Sequence, residues 1–155
     1  MTLHIIAVGR LKPGPEADLF ERYNSRMRPR LTVTELKEER GTPAVIKRGE
    51  AAAMLRALPP DAFAVALDLG GQTLDTPAFA ARLASWQALS RPVCFLIGGA
   101  EGLDSSVIAR ANHVLSFGTM TWPHFLVRAM LAEQLYRVSA IASGHPYHRS
   151  GRPDG

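Results

Sequence analysis

Hydrophobic positions along the chain follow two alternating spacings. Short runs that are continuously apolar, or that alternate with polar residues, predict five β-strands, at 3–9, 31–37, 62–69, 92–98 and 114–118. Apolar residues at helical spacing follow each run and predict five helices, at 16–27, 43–58, 76–89, 104–112 and 123–143. The predicted order is therefore strand then helix, repeated along the whole chain.

This alternation predicts an α/β fold in a single domain, residues 1–155, with a mostly parallel sheet and helices on both faces. We find no internal repeat or linker, and the last residues, SGRPDG at 150–155, are expected to form a mobile tail. Ligands of such sheets bind beyond the carboxyl ends of the strands. Three predicted strand ends carry glycines, at Gly70-Gly71, Gly98-Gly99 and Gly118, so we expect the site there.

A modest positive charge and a single cysteine narrow the function classes. The net charge of +4 and the pI of about 9.7 favour an anionic partner such as nucleic acid. Cys94 lies in an apolar run and is expected to be a small buried side chain; a lone cysteine suits a reducing, cytoplasmic location. No segment resembles a signal peptide or approaches the ~20 apolar residues of a membrane span, so no membrane association is expected.

The segment FLIGGAEGL at 95–103 joins a predicted strand to a helix through a glycine-rich turn. It is not a P-loop, because no Gly-Lys-Ser/Thr follows, and it lies too late in the chain for the dinucleotide-binding fingerprint. Glycines allow a backbone to approach a ligand closely, but a plain tight turn into a helix fits the pattern equally well. Glu101 near the helix start suits the helix dipole and is not expected to be catalytic.

The longest predicted helix and the residues after it carry most of the remaining chemistry. We expect its apolar positions to form core or subunit contacts, and its Arg128 and Arg137 to be solvated or ion-paired at the surface. After Gly144 comes HPYHR at 145–149, whose histidines make a poor zinc site without accompanying cysteines or carboxylates, so no metal is expected. Base stacking, phosphate contact or proton transfer suits these residue types better, and a tail with no role stays open.

Three motifs together carry a resemblance to a known family. They are LIGGAEGL at 96–103, TMTWPHFLVRAMLAEQLYR at 119–137 and the terminal HPYHR. In this order and at this spacing they resemble the ribosomal large-subunit (23S rRNA) pseudouridine N3-methyltransferase family, RlmH, of the SPOUT class. The resemblance covers nearly the whole chain, including IIAVGRLK at 5–12 and ALDLGGQTLDTPAFA at 66–80. Two departures are Ala100, where the family usually has proline, and the residues after HPYHR, where the family usually ends.

The resemblance implies a fold, a cofactor and a reaction. The fold would be an α/β sheet with a C-terminal trefoil knot, assembled as a homodimer. S-adenosylmethionine would bind against the knot loops and supply a methyl group to N3 of a pseudouridine in 23S rRNA on the assembled ribosome. By match to the family's motifs, the cofactor would be contacted by Leu67, Gly98, Phe117, Gly118, Thr119, Met120, Thr121 and Trp122.

Further residues are candidates for work on the RNA. His148 and Tyr147 are the candidates for proton handling or base orientation, and Arg149 and Arg137 for holding phosphate or base oxygens. His124, beside the cofactor loop, is expected to orient that loop. The side chains expected to grip rRNA form a basic cluster on the first helix and its exit, namely Arg22, Arg26, Arg28 and Arg30.

Three alternatives stay open. The basic cluster fits a merely solvated helix face as well as a phosphate-binding surface, with Arg22 and Arg26 expected one helical turn apart. The whole chain could be a catalytically silent RNA-binding or ribosome-binding module with the same fold. A nucleotide-binding enzyme, for instance one that uses NAD, is the third reading, but the early glycine fingerprint that it needs is absent from the sequence.

Overall fold

The computed structural model describes residues 2–153, in which strands and helices alternate. In chain order the elements are β1 (Leu3–Val8), α1 (Pro15–Asn24), β2 (Thr32–Leu36), α2 (Pro43–Ala57), β3 (Phe63–Thr73), α3 (Thr76–Gln87), β4 (Val93–Ile97), α4 (Ser105–Arg110), β5 (His113–Ser116) and α5 (His124–Ser143). Every predicted strand and helix is present, and the differences lie at the element ends. Residues 154–155 of the predicted mobile tail lie outside the described residues.

The strands form one parallel sheet, as predicted, and their order is β2-β1-β4-β3-β5. The central strands β1 and β4 are almost wholly buried, with Ile5 opposite Phe95, which explains their continuous apolar runs. Because parallel strands share a direction, the loops after all of them meet at one edge of the sheet. The trefoil knot stays a prediction.

Helices cover both faces of the sheet and enclose two separate cores. On one face α1, α3 and α5 pack around residues such as Phe95, Leu131 and Leu135. On the other face α2 and α4 pack around a second core that includes Met54 and Cys94. The Cys94 side chain is buried, and burial raises the pKa of its thiol to about 11, so the expectation of a small buried side chain is confirmed.

Strand β3 is longer than predicted. It does not end at Gly70-Gly71 but continues to Thr73, with a bulge between Leu67 and Gln72 where it pairs with β5. A Cβ atom on Gly71 would lie 2.6 Å from the carbonyl oxygen of Val114, so only glycine allows the two backbones to pass this closely. The glycine pair marks a close approach inside the strand, and a sequence pattern cannot distinguish this from a strand end.

Two further expectations about helices are wrong. Helix α1 ends at Asn24, because the side chain of Asn24 accepts a hydrogen bond from the backbone N–H of Leu31 at 2.7 Å and draws the chain into a turn. Arg26 therefore lies beyond the helix and not one helical turn from Arg22 on its face. Arg128 is not at the surface: it is 1% exposed, ion-paired to Glu35 at 2.5 Å, and bonded to the carbonyl oxygen of Gly9 at 3.0 Å.

Candidate functional site

The glycine turn after β4 closes on itself at the carboxyl edge of the sheet. The backbone N–H of Gly102 donates to the carbonyl oxygen of Gly99 at 3.0 Å, and Gly102 has a φ of +80°, in the left-handed region that favours glycine. A Cβ on Gly98 would lie 2.8 Å from the carbonyl carbon and oxygen of Gly102. The turn is therefore packed tightly enough that Gly98 cannot carry a side chain without moving the backbone.

A cavity of about 340 Å³ opens beside this turn, between the ends of β3, β4 and β5. We call it the turn cavity. Among the residues assigned to the cofactor by resemblance, those that line it are Leu67, Gly98, Phe117, Thr121 and Trp122. Its other apolar walls come from Leu69, Ile97, Leu103, Leu115 and Val127. Volume and apolar lining are those of a small-molecule site.

The remaining three residues of the proposed cofactor loop lie differently. Gly118, at a φ of +108°, lines a neighbouring cavity, while Thr119 and Met120 are exposed, with Met120 72% accessible. The loop start is held by the hydroxyl of Ser116, which accepts from the N–H of Gly118 at 3.1 Å. Within the loop, Phe117, Thr121 and Trp122 therefore line the turn cavity, whereas Thr119 and Met120 face solvent.

Charged residues of both signs reach the turn cavity, with carboxylates in excess. Asp68 and Glu101 line it together with one cation, Lys47. His124 also lines it; burial is the main cause of its lowered pKa, which the carboxylate of Glu38 at 3.9 Å opposes. The imidazole is therefore neutral near pH 7, and its Nε2 has no hydrogen-bond partner within residues 2–153.

Asp68 and Lys47 were missed by the sequence analysis. Asp68 follows Leu67 at the carboxyl end of the apolar run of β3, which is a signal that could have identified it. Lys47 had no such signal, because only the packing of α2 against the sheet brings it to the turn cavity.

The HPYHR segment, residues 145–149, folds back along α5. The helix ends at Gly144, whose φ of +76° lets the N–H of His145 donate to the carbonyl oxygen of Ala140 at 2.8 Å. The Tyr147 hydroxyl then donates to the Oε1 atom of Glu133 at 3.2 Å. These contacts hold the segment against the middle of α5.

Glu133 organises two of the predicted catalytic side chains. Its Oε1 accepts from Arg137 Nη2 at 2.6 Å as well as from Tyr147, and the Arg137 guanidinium lies 4.7 Å from the centre of the Tyr147 ring. Arg137 Nη1 lies 3.2 Å from His148 Nδ1. One carboxylate therefore connects Arg137, Tyr147 and, through Arg137, His148. The fourth predicted catalytic residue, Arg149, is exposed.

The protonation states of the segment follow from these contacts. Burial raises the pKa of Tyr147 to about 12, aided by a side-chain hydrogen bond with Tyr23 and by the negative charge of Glu133, so the phenol stays protonated near pH 7. Arginine can only donate, so His148 Nδ1 must accept from Arg137. The neutral imidazole then carries its proton on Nε2 and offers a donor there.

A second cavity, of about 920 Å³, lies beside the HPYHR segment, and we call it the tail cavity. His148, Glu133 and Gly118 line it. Leu115 and Phe117 line both this cavity and the turn cavity, so the two are neighbours. The structure therefore places His148 next to the loop at 117–122 but outside the turn cavity itself.

The basic cluster is only partly free to bind a partner. Arg28 donates to the carbonyl oxygens of Ser25 and Met27, both at 2.8 Å, and Arg30 pairs with Glu21 at 3.2 Å. Arg26 lies 5.9 Å from the centre of the Tyr136 ring, while Arg22 is exposed. Within residues 2–153, Arg22 and Arg26 are therefore the two of the four without an ion pair or a side-chain hydrogen bond.

Two classes of site are not seen in the described part of the chain. Across residues 2–153, no cluster of histidine, cysteine and acidic side chains has the geometry to hold a metal ion. Among the helices described there, none is long and apolar enough to cross a membrane.

Comparisons with known proteins agree with one another. A family model described as a predicted SPOUT methyltransferase matches residues 1–148. A protein of Gluconacetobacter diazotrophicus named Ribosomal RNA large subunit methyltransferase H is 63% identical over 151 residues, covering 97% of this chain and 99% of that protein. A protein of the same name from Acidiphilium cryptum is 58% identical over 97% of this chain and 96% of its own length. A solved structure of a probable methyltransferase from Bordetella pertussis aligns with a TM-score of 0.53 at 15% identity, over 88% of this chain and 95% of that one, and supports the fold alone.

Proposed function

The chain belongs to the SPOUT methyltransferase family, and we propose that it transfers a methyl group from S-adenosylmethionine to N3 of a pseudouridine in 23S rRNA. It would act on the assembled ribosome in the cytoplasm. The observation that carries the proposal is the turn cavity, since it provides a small-molecule site in the loops that the family uses for its cofactor. The name of the 63% identical relative supports the choice of large-subunit rRNA as substrate.

The turn cavity suits S-adenosylmethionine in size and in charge. Its volume of about 340 Å³ lies within the range of small-molecule sites. Phe117 and Leu115 offer apolar surface for a nucleoside, and glycines at 98 and 99 leave the turn backbone uncovered. The excess of carboxylates, Asp68 and Glu101 against Lys47, matches a ligand with a net positive charge.

When bound, S-adenosylmethionine supplies a methyl group on a positively charged sulfur. The protein's part is to hold the reacting groups in line and to keep water away, because a displacement of this kind needs little covalent help. Trp122 and Phe117 would shield the cavity from solvent, and Thr121 would fix the loop against the cofactor. The carboxyl edge of the sheet gives these residues a rigid base.

His148 and Tyr147 would orient the target base, and the proton that N3 loses as the new N–C bond forms would pass to solvent rather than to either side chain. The Nε2–H of His148 would donate to a carbonyl oxygen of the base, since its Nδ1 already accepts from Arg137. Tyr147 keeps its proton, because its pKa is raised to about 12. Arg137 would hold His148 in place through Nδ1, and Arg149, which is exposed, would contact a phosphate or base oxygen.

Two surfaces would complete the active assembly. Arg22, Arg26, Arg28 and Arg30 would contact rRNA phosphates outside the pocket, and Arg28 and Arg30 would first have to give up their present partners. A homodimer would cover the apolar side chains exposed beside the turn cavity, Leu69, Met120 and Trp122. Light scattering during gel filtration would report the dimer directly.

The experiment that tests the reaction is methyl transfer from labelled S-adenosylmethionine to ribosomes that lack this mark. A matched sample also lacks the pseudouridine at the target position. We expect label only on assembled ribosomes that contain pseudouridine. No label on either sample, despite measurable cofactor binding, would contradict the proposed substrate and favour a catalytically silent ribosome-binding module or another RNA target.

A further inference from the structure

A buried carboxyl group lies directly behind the glycine turn. Glu50 projects from α2 and is only 5% exposed. Its Oε2 accepts from the backbone N–H of Glu39 at 3.1 Å, but its Oε1 is buried and has no hydrogen-bond partner within residues 2–153. A buried carboxylate oxygen without a partner costs free energy, so its presence calls for a compensating role.

The free oxygen of Glu50 faces the turn. A Cβ on Gly99 would lie 3.1 Å from Glu50 Oε1 and 3.0 Å from Val8 Cγ1, so the carboxyl group packs against Gly99 from the protein interior. Gly99 itself lines the turn cavity. A single glycine residue, Gly99, therefore separates the carboxyl group of Glu50 from the space that a ligand would fill. Because this carboxyl group is buried, little water can screen its charge from that space.

The surroundings of Glu50 are acidic. Burial is the main cause of its raised pKa, and the carboxylates of Glu38, Glu39 and Glu101 raise it further, while the N–H of Glu39 opposes them. Glu38 and Glu39 come from the loop after β2, and Glu101 from the glycine turn. A positive charge in the turn cavity would relieve this repulsion.

We propose that Glu50 makes the turn cavity select a cation, favouring the sulfonium of S-adenosylmethionine over the neutral thioether of its demethylated product. This inference rests on the proposed function. Glu50 is a positioning residue, since it acts across Gly99 rather than by touching the reacting atoms. Its negative charge stabilises the methyl donor before transfer, and the loss of the sulfonium charge on transfer weakens the hold on the product. The same group thus favours donor binding and product release.

Calorimetric titration with each of the two ligands separately tests this role. At about pH 8, above the usual range of carboxyl pKa values, we expect the native protein to prefer S-adenosylmethionine to S-adenosylhomocysteine. Glu50→Gln keeps the shape and an acceptor for the Glu39 N–H but removes the charge. We expect it to weaken S-adenosylmethionine binding about tenfold and to leave S-adenosylhomocysteine binding unchanged.

Two further variants separate charge from shape. Glu50→Asp keeps the charge and should retain the preference for the sulfonium. Glu39→Gln removes an exposed neighbouring carboxylate, which solvent screens, and should change neither affinity by more than about twofold. If Glu50→Gln weakens both ligands equally, or neither, Glu50 has no charge-selecting role and the proposal fails.

The native protein alone provides a second readout in case a variant does not fold. The amino acid groups of the two ligands are the same, so their ionisation largely cancels in the ratio of the two affinities. As pH falls from about 8 to about 5, Glu50 takes up protons ahead of an ordinary carboxyl group because its pKa is raised, so the preference for S-adenosylmethionine should decline. Protonation of His124, which also lines the turn cavity, acts in the same direction at the lower end of this range. A preference that does not change over this range overturns the proposal. Absence of binding by either ligand to the native protein would instead refute the proposed cofactor.

Discussion

The glycine turn and the HPYHR segment border neighbouring cavities but are held in different ways. The turn follows β4, whose residues are all buried, and backbone contacts between Gly98 and Gly102 close it. Residues 145–149 are exposed or half-buried along their length. Their polar contacts to the helix involve Glu133 and its partner Arg137, and the Tyr147 ring packs edge-on against Tyr136 with the ring centres 4.8 Å apart.

This difference separates two kinds of effect. A change in the turn alters the packed edge of the sheet, so it should alter both stability and ligand affinity. A change in the segment removes contacts at the surface of α5, so it should alter turnover while leaving the fold and the turn cavity intact. Substitutions in the glycine turn and in the HPYHR segment can therefore show whether cofactor binding and base orientation are separate.

The largest effect is expected from Gly98→Ala. The new methyl group would lie 2.8 Å from the backbone of Gly102, so the turn must shift. We expect loss of S-adenosylmethionine binding by calorimetry and a destabilisation of about 1–3 kcal/mol, with about 2–4 °C lost in melting temperature for each kcal/mol.

Gly49→Ala is the matched control for that substitution. It lies within α2, and its new methyl group would meet the side chain of the exposed Glu39, which can move aside. Its melting temperature should stay near that of the native protein. Normal cofactor affinity in Gly98→Ala would contradict the role of the turn.

His148→Ala tests the role of the HPYHR segment. Losing the Nε2–H donor should misplace the target base and lower kcat about a hundredfold. Cofactor affinity should be unchanged, because His148 lies outside the turn cavity. His145→Ala, a nearby exposed histidine, should have little effect on either quantity. Parallel losses of turnover and affinity in His148→Ala would show that the two regions are not separate.

Glu133→Gln should loosen the segment without removing its side chains. The Arg137 guanidinium loses its ionic partner, so His148 is held less firmly and kcat should fall about tenfold. The pKa of Tyr147 should fall toward its usual value, since the negative charge of Glu133 contributes to raising it. Ultraviolet titration measures this shift when the curve of the matching protein that also carries Tyr147→Phe is subtracted.

A suitable control for Glu133→Gln is Glu21→Gln. Glu21 is exposed and, within residues 2–153, its side chain pairs with the exposed Arg30 alone, so neither turnover nor the Tyr147 titration should change. An unchanged Tyr147 pKa in Glu133→Gln would mean that the contact between the two side chains is not maintained in solution.

The smallest effect is expected from the double substitution Arg22→Ala and Arg26→Ala. If both side chains neutralise rRNA phosphates, ribosome affinity should fall several-fold. The slope of log affinity against log salt should also become shallower by about one to two units. Arg56→Ala, at the end of α2 on the other face of the sheet, is the control and should leave the slope unchanged. Equal salt slopes in all three proteins would favour a merely solvated basic face.

Much of the fold could be predicted because its central strands are buried on both faces. The apolar runs of β1 and β4 predicted a parallel sheet directly, and α3 begins at the predicted residue 76, where Asp75 accepts from the N–H of Ala78 at 2.8 Å. By contrast, Gly70-Gly71 gave a wrong strand end, because its cause is the approach of β5, a segment distant in sequence.

The strand pattern led to Gly98, which follows β4, whereas Phe117, Thr121 and Trp122 came from the resemblance; all four line the turn cavity. Their contact with a cofactor stays a prediction. Arg128 and Glu50 could not be recognised. The ionic partner of Arg128 lies 93 residues away, and the carboxyl of Glu50 acquires its environment only when α2 packs behind the turn. Charged residues on a helix look alike in sequence whether they face solvent or the interior.

The most direct test of cofactor binding in the turn cavity uses the fluorescence of Trp122. The protein has two tryptophans; Trp122 lines the turn cavity, whereas Trp86 is 5% exposed and belongs to the core under α3. Titration with S-adenosylmethionine should produce a saturable change in the native protein that disappears in Trp122→Phe, with calorimetry confirming that both proteins bind. Binding at saturation with no change in Trp122 emission, or a change that persists in Trp122→Phe, would place the cofactor elsewhere and contradict the account.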